Sequence, residues 1–446
     1  MTTPAEAQPS AVPATAIQGG EVRARWPWTE PAVWTERMLT ALEQGVKGGV
    51  WFSLMDKVFA ERNLVASTIK VVANKGAPGV DHVTVEVFDD QRHANLAKLA
   101  AALRDGSYEP QAIRRAYIPK PGSNEQRPLG IPTVRDRVVQ GAIRHVLEPI
   151  FEKEFASGSY GFRPELGCKD ALRRVVELLK QGYVYVVDAD LKSYFDSIPH
   201  DRLMTRLREC IADGRLLGLI ESFLKAGIFD GLQEWEPEAG APQGAVLSPL
   251  LSNIYLNPLD HHMAAQGYRM LRYADDFVVL CRSQAEAEQA LALIRQWCEA
   301  EGLQLHPTKT QIVDVRTGSF EFLGYHFETT RRGILTHWPR KKSLAKLKER
   351  IRAKTKRRNG HSLSDIIDSV NWTLRGWFEY FKHSYHTTFT TVDSWVRGRL
   401  RSILRKRAGR AGRGRGLDHR RWPNSFFAKH RFFSLKAAWA AARQPP

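Results

Sequence analysis

Apolar residues recur at helical spacing over 50–73, 94–104, 134–155 and 169–181, and again over 200–209, 214–226 and 284–301. The last of these opens with Ser283 and Glu286 at capping-box spacing and stops at Gly302. Strand patterns are fewer. AIRRAYIPK (112–120), YVYVVDADL (183–191) and FEFLGYHF (320–327) are rich in β-branched and aromatic residues, and each is read as one strand. YRMLRYADDFVVLC (268–281) predicts two strands joined by a tight turn. Between them lie NKGAPGVD (74–81), SGSYGFRPELG (157–167) and GAPQGAVLSPLLSNIYL (240–256), the last a loop running into a helix. Beyond Trp338 the pattern is helical and basic. The chain predicts an α+β fold with no internal repeat.

The polar breaks in those apolar runs carry the chemistry. Asp275 and Asp276 fall at the tip of the 268–281 hairpin, where like charges repel unless a cation neutralises them. Alone, the pair reads equally well as a solvated turn. The strand at 183–191 adds Asp188 and Asp190, two apart and so on one face. Two carboxylate groups at the ends of apolar strands suit two-metal phosphoryl transfer.

Composition narrows the class. No run reaches the roughly 18–20 apolar residues of a membrane span. The Ala/Pro/Thr-rich start lacks the plan of a secretory signal, so 1–45 is read as a disordered extension. The four cysteines form no CxxC pair, which predicts neither zinc nor a disulfide framework and fits a reducing cytoplasm. Charge is divided unevenly. From Arg340 onward there are 28 Lys+Arg against 6 Asp+Glu, net +22, whereas the first 339 residues have 38 against 42, net −4. Basic residues interleaved with aromatic ones on one module are the footprint of nucleic-acid binding.

With these features in place, the chain resembles the reverse transcriptases and maturases encoded by group II introns. The motifs follow the family's order from about residue 58 to 330: GAPGVD, YIPKPGSNEQRPLGIPTVRDRVVQ, SYGFRPELGC, DADLKSYFDSIPHD, GAPQGAVLSPLLSNIYLNPLD, RYADDFVVL, HPTKT and FEFLGYHF. NWTLRGWFEYF resembles the family's maturase region, domain X. The resemblance implies a right-hand polymerase with fingers and an antiparallel palm sheet over 50–335, then an α-helical thumb and domain X over 340–446. It assigns Asp190, Asp275 and Asp276 as catalytic acids binding two Mg²⁺ ions, with the Leu191 carbonyl a further ligand. Lys120 and Arg127 would contact the dNTP triphosphate, and Gln243 and Gly244 would line its pocket. Phe195 would exclude a ribose 2′-hydroxyl by clash. Lys309 would protonate the pyrophosphate leaving group.

Arg163 is a candidate contact to template or primer phosphate, and a loop salt bridge is an equal reading. Cations of the C-terminal module are candidates for RNA contact: Lys341, Lys342, Arg352, Arg357, Arg358, Arg397 and Arg399. The Gly-rich end of 397–416 is expected to order only on RNA. The implied partners are group II intron RNA, an RNA template with a DNA primer, dNTPs and target DNA, in a bacterial cytoplasm with association to the nucleoid during work on DNA. The family's endonuclease, with its paired cysteines, has no counterpart here, so second-strand cutting is not expected. Three other readings share part of this evidence: a domesticated reverse transcriptase in repair or defence, an RNA chaperone with little polymerase activity, and an RNA-dependent RNA polymerase.

Overall fold

The computed structural model describes residues 21–119, 126–231, 233–358 and 360–443. Lys120 and the first 20 residues lie outside them. The chain divides into two compact units. One comprises residues 1–175, 187–281 and 285–311, the other 176–186, 282–284 and 312–446. Among the described residues no helix is long and apolar enough to cross a membrane.

Among the described residues, eleven strands form three sheets. In chain order they are β1 (Ile113–Pro119), β2 (Gln126–Ile131), β3 (Tyr185–Asp190), β4 (Ile228–Asp230), β5 (Gln233–Trp235), β6 (Arg269–Tyr273), β7 (Asp276–Cys281), β8 (Gln311–Asp314), β9 (Ser319–Phe322), β10 (Tyr325–Thr329) and β11 (Leu335–Pro339). The sheet orders are β2-β1-β4-β5, β6-β7-β3-β8 and β11-β10-β9. β1 and β2 are antiparallel, with Ile118 opposite Arg127 and Arg115 opposite Gly130.

The first unit is built around the helix Val134–Glu152, buried on nearly every side. The helix Glu61–Ala73 crosses it at a glycine. A Cβ on Gly141 would stand 2.2 Å from the Ser67 hydroxyl oxygen, which instead donates to the Val138 carbonyl at 2.7 Å. The extension read as disorder is ordered from residue 21. The helix Glu36–Gln44 is capped by Thr35, Trp34 is fully buried, and its indole N–H donates to the His145 carbonyl at 2.8 Å. The misleading Ala/Pro/Thr composition belongs to the first 20 residues. The tryptophans that follow are anchors.

His145 is locked in its neutral form by two opposed bonds. Its Nε2 accepts from the Lys70 ammonium at 2.8 Å, and its Nδ1 donates to the Asn63 side-chain oxygen at 2.9 Å. Burial, and then Lys70, lower its pKa from 6.5 to about 4. The unfolded chain therefore binds a proton that the fold refuses between those values. Stability is expected to fall as pH drops from about 6.5 towards 4, by up to roughly 3 kcal/mol. Denaturant midpoints at pH 7.5 and pH 5 should show about 2 kcal/mol of that loss in the wild type and a flatter dependence in His145→Gln.

The second unit holds β9–β11, the basic helices Lys341–Lys354 and Thr387–Arg407, and between them the largely apolar helix Leu363–Phe381. The run 320–327 is not one strand. It is the hairpin β9–β10, turning at Leu323 (φ 47°) and Gly324 (φ 81°). The two positive φ angles make the tight two-residue turn that sets Phe322 opposite Tyr325, and a Leu-Gly pair does not announce that turn as Asn-Gly would. These strands belong with the C-terminal helices, so the division falls after Gln311 rather than near 335–340. Tyr325 packs against Phe381 and donates to the Tyr380 carbonyl at 2.8 Å, while Tyr380 donates back to the Leu323 carbonyl at 2.7 Å.

The Gly-rich stretch at 412–416, expected to order only on RNA, is tied down by the protein itself. Arg405 donates to the Ala411 carbonyl and to Asp418, whose carboxylate also accepts from the Arg415 N–H.

Candidate active site

β6 and β7 meet in a two-residue turn, Ala274-Asp275, with Tyr273 opposite Asp276 and Ala274 at φ 59°. A left-handed alanine is strained, and the turn is held by what surrounds it. Arg272, fully buried, is the centre of that support. It forms a fork on Asp260 (2.9 and 2.5 Å), then donates to Asn253 Oδ1, Ser159 Oγ and the Ala274 carbonyl, each at 2.9 Å. Asp260 and Asn253 lie seven residues apart on the helix Ser248–Ala265, one face of two turns.

The SYGFRP segment supports the same turn from the other side. The Tyr160 N–H donates to the Arg272 carbonyl, and the Arg272 N–H to the Gly158 carbonyl, both at 2.8 Å. A Cβ on Gly161 would stand 2.3 Å from the Ala274 nitrogen, so only glycine passes beneath the turn there. This corrects the reading of Arg163 as a nucleic-acid contact. Its guanidinium is nearly buried, paired with Glu152 at 2.7 Å and bonded to the Ala156 and Ser159 carbonyls. It folds the loop that carries the turn.

In the palm sheet β7 is the neighbour of β3, which ends in Asp190. Burial and the Asp190 charge raise the Asp275 pKa, while Arg127 and Arg272 oppose the rise. Asp190 Oδ2 takes the Lys309 ammonium at 2.5 Å, and Lys309 is otherwise exposed. The Asp190 carbonyl accepts from the His306 N–H, and the Lys192 N–H donates to Gln304. Leu191 therefore faces Leu305 as a pair without mutual bonds, its own C=O turned away from that segment. Asp188 faces Gln311, 3.4 Å away.

The nucleotide-pocket candidates converge through main-chain bonds. The Ala241 N–H donates to the Phe195 carbonyl at 2.7 Å, and the Gly130 N–H of β2 to the Gln243 carbonyl at 2.6 Å. Gly244 has φ 107°, and a Cβ there would lie 2.5 Å from the Gly130 oxygen. The Pro-Gln-Gly loop is thus pinned to β2, which carries Arg127, and to Phe195. Arg127 and Arg115 both act on Asp196, whose pKa burial raises. Phe195 is half-buried, edge-on to the fully buried Tyr194 at 5.5 Å.

Among the described residues no three His, Cys, Asp or Glu side chains form a cluster able to hold a metal unaided. The donor set still fits a hard divalent cation. It is all oxygen, and Mg²⁺ normally completes its shell with water and substrate phosphate. Burial first, and then the Asp190 charge, disfavour the ionised Asp275 carboxylate, and such a cation offsets both.

Residues 118–327 match the family model described as Reverse transcriptase (RNA-dependent DNA polymerase), and 344–422 match that of the Group II intron, maturase-specific domain. Protein YkfC of Escherichia coli (strain K12) is 34% identical over 347 residues, covering 68% of this chain and 85% of YkfC. The chain belongs to the reverse transcriptase–maturase family of group II introns. Group II intron-encoded protein LtrA of Lactococcus lactis subsp. cremoris is 40% identical over 216 residues, 46% of this chain but only 35% of LtrA. Among solved structures, a partial Cas6-RT-Cas1–Cas2 complex matches at 25% identity and TM-score 0.35, over 55% of this chain and 41% of that one. The protein is an RNA-directed DNA polymerase with an α+β polymerase fold and a maturase domain.

Sequence reasoning missed the turn supports of this reverse transcriptase: Arg272, Asp260, Asn253 and Ser159. One signal was available. Arg272 directly follows the buried apolar pair Met270-Leu271 in β6, and Asp260 is the one acid on its largely apolar helix. Arg115, within the strand read at 112–120, is a further residue that sequence reasoning did not single out, and it acts on Asp196. In the second unit Lys341, Lys342, Arg352, Arg357 and Arg358 are exposed. Arg397 is half-buried, 3.7 Å from Asp393, and Arg399 is anchored on Thr355.

Proposed function

We propose that this reverse transcriptase copies group II intron RNA into cDNA from a DNA primer, and that its C-terminal unit binds the intron RNA to assist splicing. The observation that carries the polymerase half is the joining of Asp190 and the Asp275–Asp276 turn to a pocket wall made by Arg127, Phe195 and the Gln243-Gly244 loop. Asp190, Asp275 and Asp276, with the Leu191 carbonyl, would hold two Mg²⁺ ions. Bound there, the metal supplies charge neutralisation at the phosphoryl group and a more acidic primer hydroxyl.

The chain's own groups do the rest. Arg127 offers a planar fork to triphosphate oxygens, and Lys120 is proposed to join it. Gly244 lets main chain approach the nucleotide. Lys309, exposed and paired with Asp190, leaves it to donate a proton to pyrophosphate. Phe195, fixed through its own carbonyl, fills the space of a 2′-hydroxyl. Splicing chemistry stays with the intron RNA, with target DNA as the acceptor of the copy in the bacterial nucleoid.

The test is primer extension on an RNA template. Wild-type protein should extend with dNTPs and Mg²⁺ and use rNTPs poorly; no extension overturns the proposal. Phe195→Ala should keep dNTP incorporation within severalfold while the dNTP-to-rNTP ratio of kcat/KM falls by about 10². An unchanged ratio removes Phe195 as the gate.

A further inference from the structure

We propose that a pocket in the C-terminal unit, between the end of the helix Lys341–Lys354, the helix Thr387–Arg407 and the loop at 412–416, seats a single phosphate of an RNA backbone. The inference rests on the reading of this unit as RNA-binding and makes it local. The pocket has a volume of about 300 Å³, and Arg352, Arg357, Arg399 and Arg413 line it without one carboxylate. Exposed lysines and arginines on a helix follow a phosphate backbone loosely. A concave site with four guanidinium groups and no counter-charge is a different object.

The four are not crowded by accident of exposure. Arg399 is fixed: its Nε and Nη2 donate to the Thr355 hydroxyl and carbonyl at 2.9 and 2.8 Å. Those bonds also take up the carbonyl at the helix end, whose partial negative charge would otherwise oppose an anion. Arg352 and Arg399 both stand over the Trp395 ring, 5.8 and 5.9 Å from its centre, so the indole face holds two like charges in place.

Arg413 arrives by a separate device. A Cβ on Gly414 would lie 2.8 Å from Arg401 Cβ, so glycine lets the loop press onto the helix, where the Gly414 N–H donates to Ser402 Oγ at 3.3 Å. In the free protein this gathering is unfavourable. Burial, and then Arg352, Arg357 and Arg413, lower the Arg399 pKa. A tetrahedral dianion or phosphodiester offers oxygen to several forks at once and relieves the repulsion, as a planar carboxylate cannot for four.

The experiment measures binding of the full chain to a short unstructured oligouridylate across a salt series. Arg357 and Arg413 are both exposed, so their substitution leaves the fold intact. Arg357→Gln and Arg413→Gln should each weaken binding about tenfold and flatten the log–log salt slope by about 1. The double variant should lose less than the product of the two, because both hold one phosphate. An oligoadenylate should respond equally, since a phosphate seat reads no base. Arg331→Gln removes the same charge from the exposed β10–β11 turn and should change affinity less than twofold.

Equal losses in Arg331→Gln and the pocket variants overturn the pocket while leaving RNA binding by the unit in place. No RNA binding by the wild type overturns that broader reading instead. Inorganic phosphate, titrated by calorimetry at matched ionic strength, separates the two sources of the ligand. Tight binding of inorganic phosphate with RNA affinity unchanged in the pocket variants would make this a free-anion site and overturn the RNA assignment.

Discussion

Arg272→Met lowers the free energy of unfolding by about 3–5 kcal/mol and abolishes polymerase activity. Arg272 and Asp260 are both buried, at 0% and 3% side-chain exposure, and pair at 2.5 Å. Removing the cation leaves an uncompensated carboxylate inside the protein, which is why the penalty far exceeds that of a surface pair. Burial by itself would depress the guanidinium pKa, and Asp260 outweighs it, so the pair is charged and intact in the fold. The double variant Arg272→Met/Asp260→Leu separates two roles. Two apolar residues of similar size should restore most of the stability, because neither charge is then stranded. Activity should stay low, because the Ala274 carbonyl still lacks its donor and the strained turn holding Asp275 loses its main restraint. Chemical denaturation and single-turnover extension on the same preparations read the two effects apart. Activity recovering in parallel with stability would show that the network only stabilises the fold.

Asp275→Asn and Asp190→Asn each reduce RNA-templated extension by about 10³-fold or more, the several kcal/mol that charge stabilisation at a transferring phosphoryl group provides. The stability change has the opposite sign for Asp275. Its carboxylate is half-buried and faces Asp190, and its pKa is raised by both causes. Ionising it costs more in the fold than in the unfolded chain, so a neutral amide of equal size should hold or slightly raise the melting temperature at neutral pH. Loss of activity with no loss of stability is the signature of a carboxylate kept for chemistry. A variant that is inactive because it is unfolded would place Asp275 in the structural network with Asp260 instead.

Two groups of carboxylates in this chain have similar sequence surroundings and different duties. Asp275 follows an apolar strand, and Asp260 lies in the last third of a largely apolar helix. The paired acids in a hairpin, the Pro-Gln-Gly loop and the basic C-terminal quarter were legible because each breaks a local period or a charge balance. The order of the motifs and the uneven charge, net −4 before Arg340 and net +22 from it onward, follow from the sequence alone.

Long-range bonds decided the rest. Arg163 looks like a free loop cation, and only the approach of Glu152 and two carbonyls makes it a clamp. The run 320–327 has one continuous strand pattern, and two positive φ angles fold it into a hairpin that joins the C-terminal helices. Four arginines spread from 352 to 413 become a pocket because a tryptophan and a glycine allow their helix and loop to close together. Periodicity records which face of an element is buried. What a buried charge touches depends on distant partners, as Arg272 does on Ser159, 113 residues away, and that information exists only once the chain has folded.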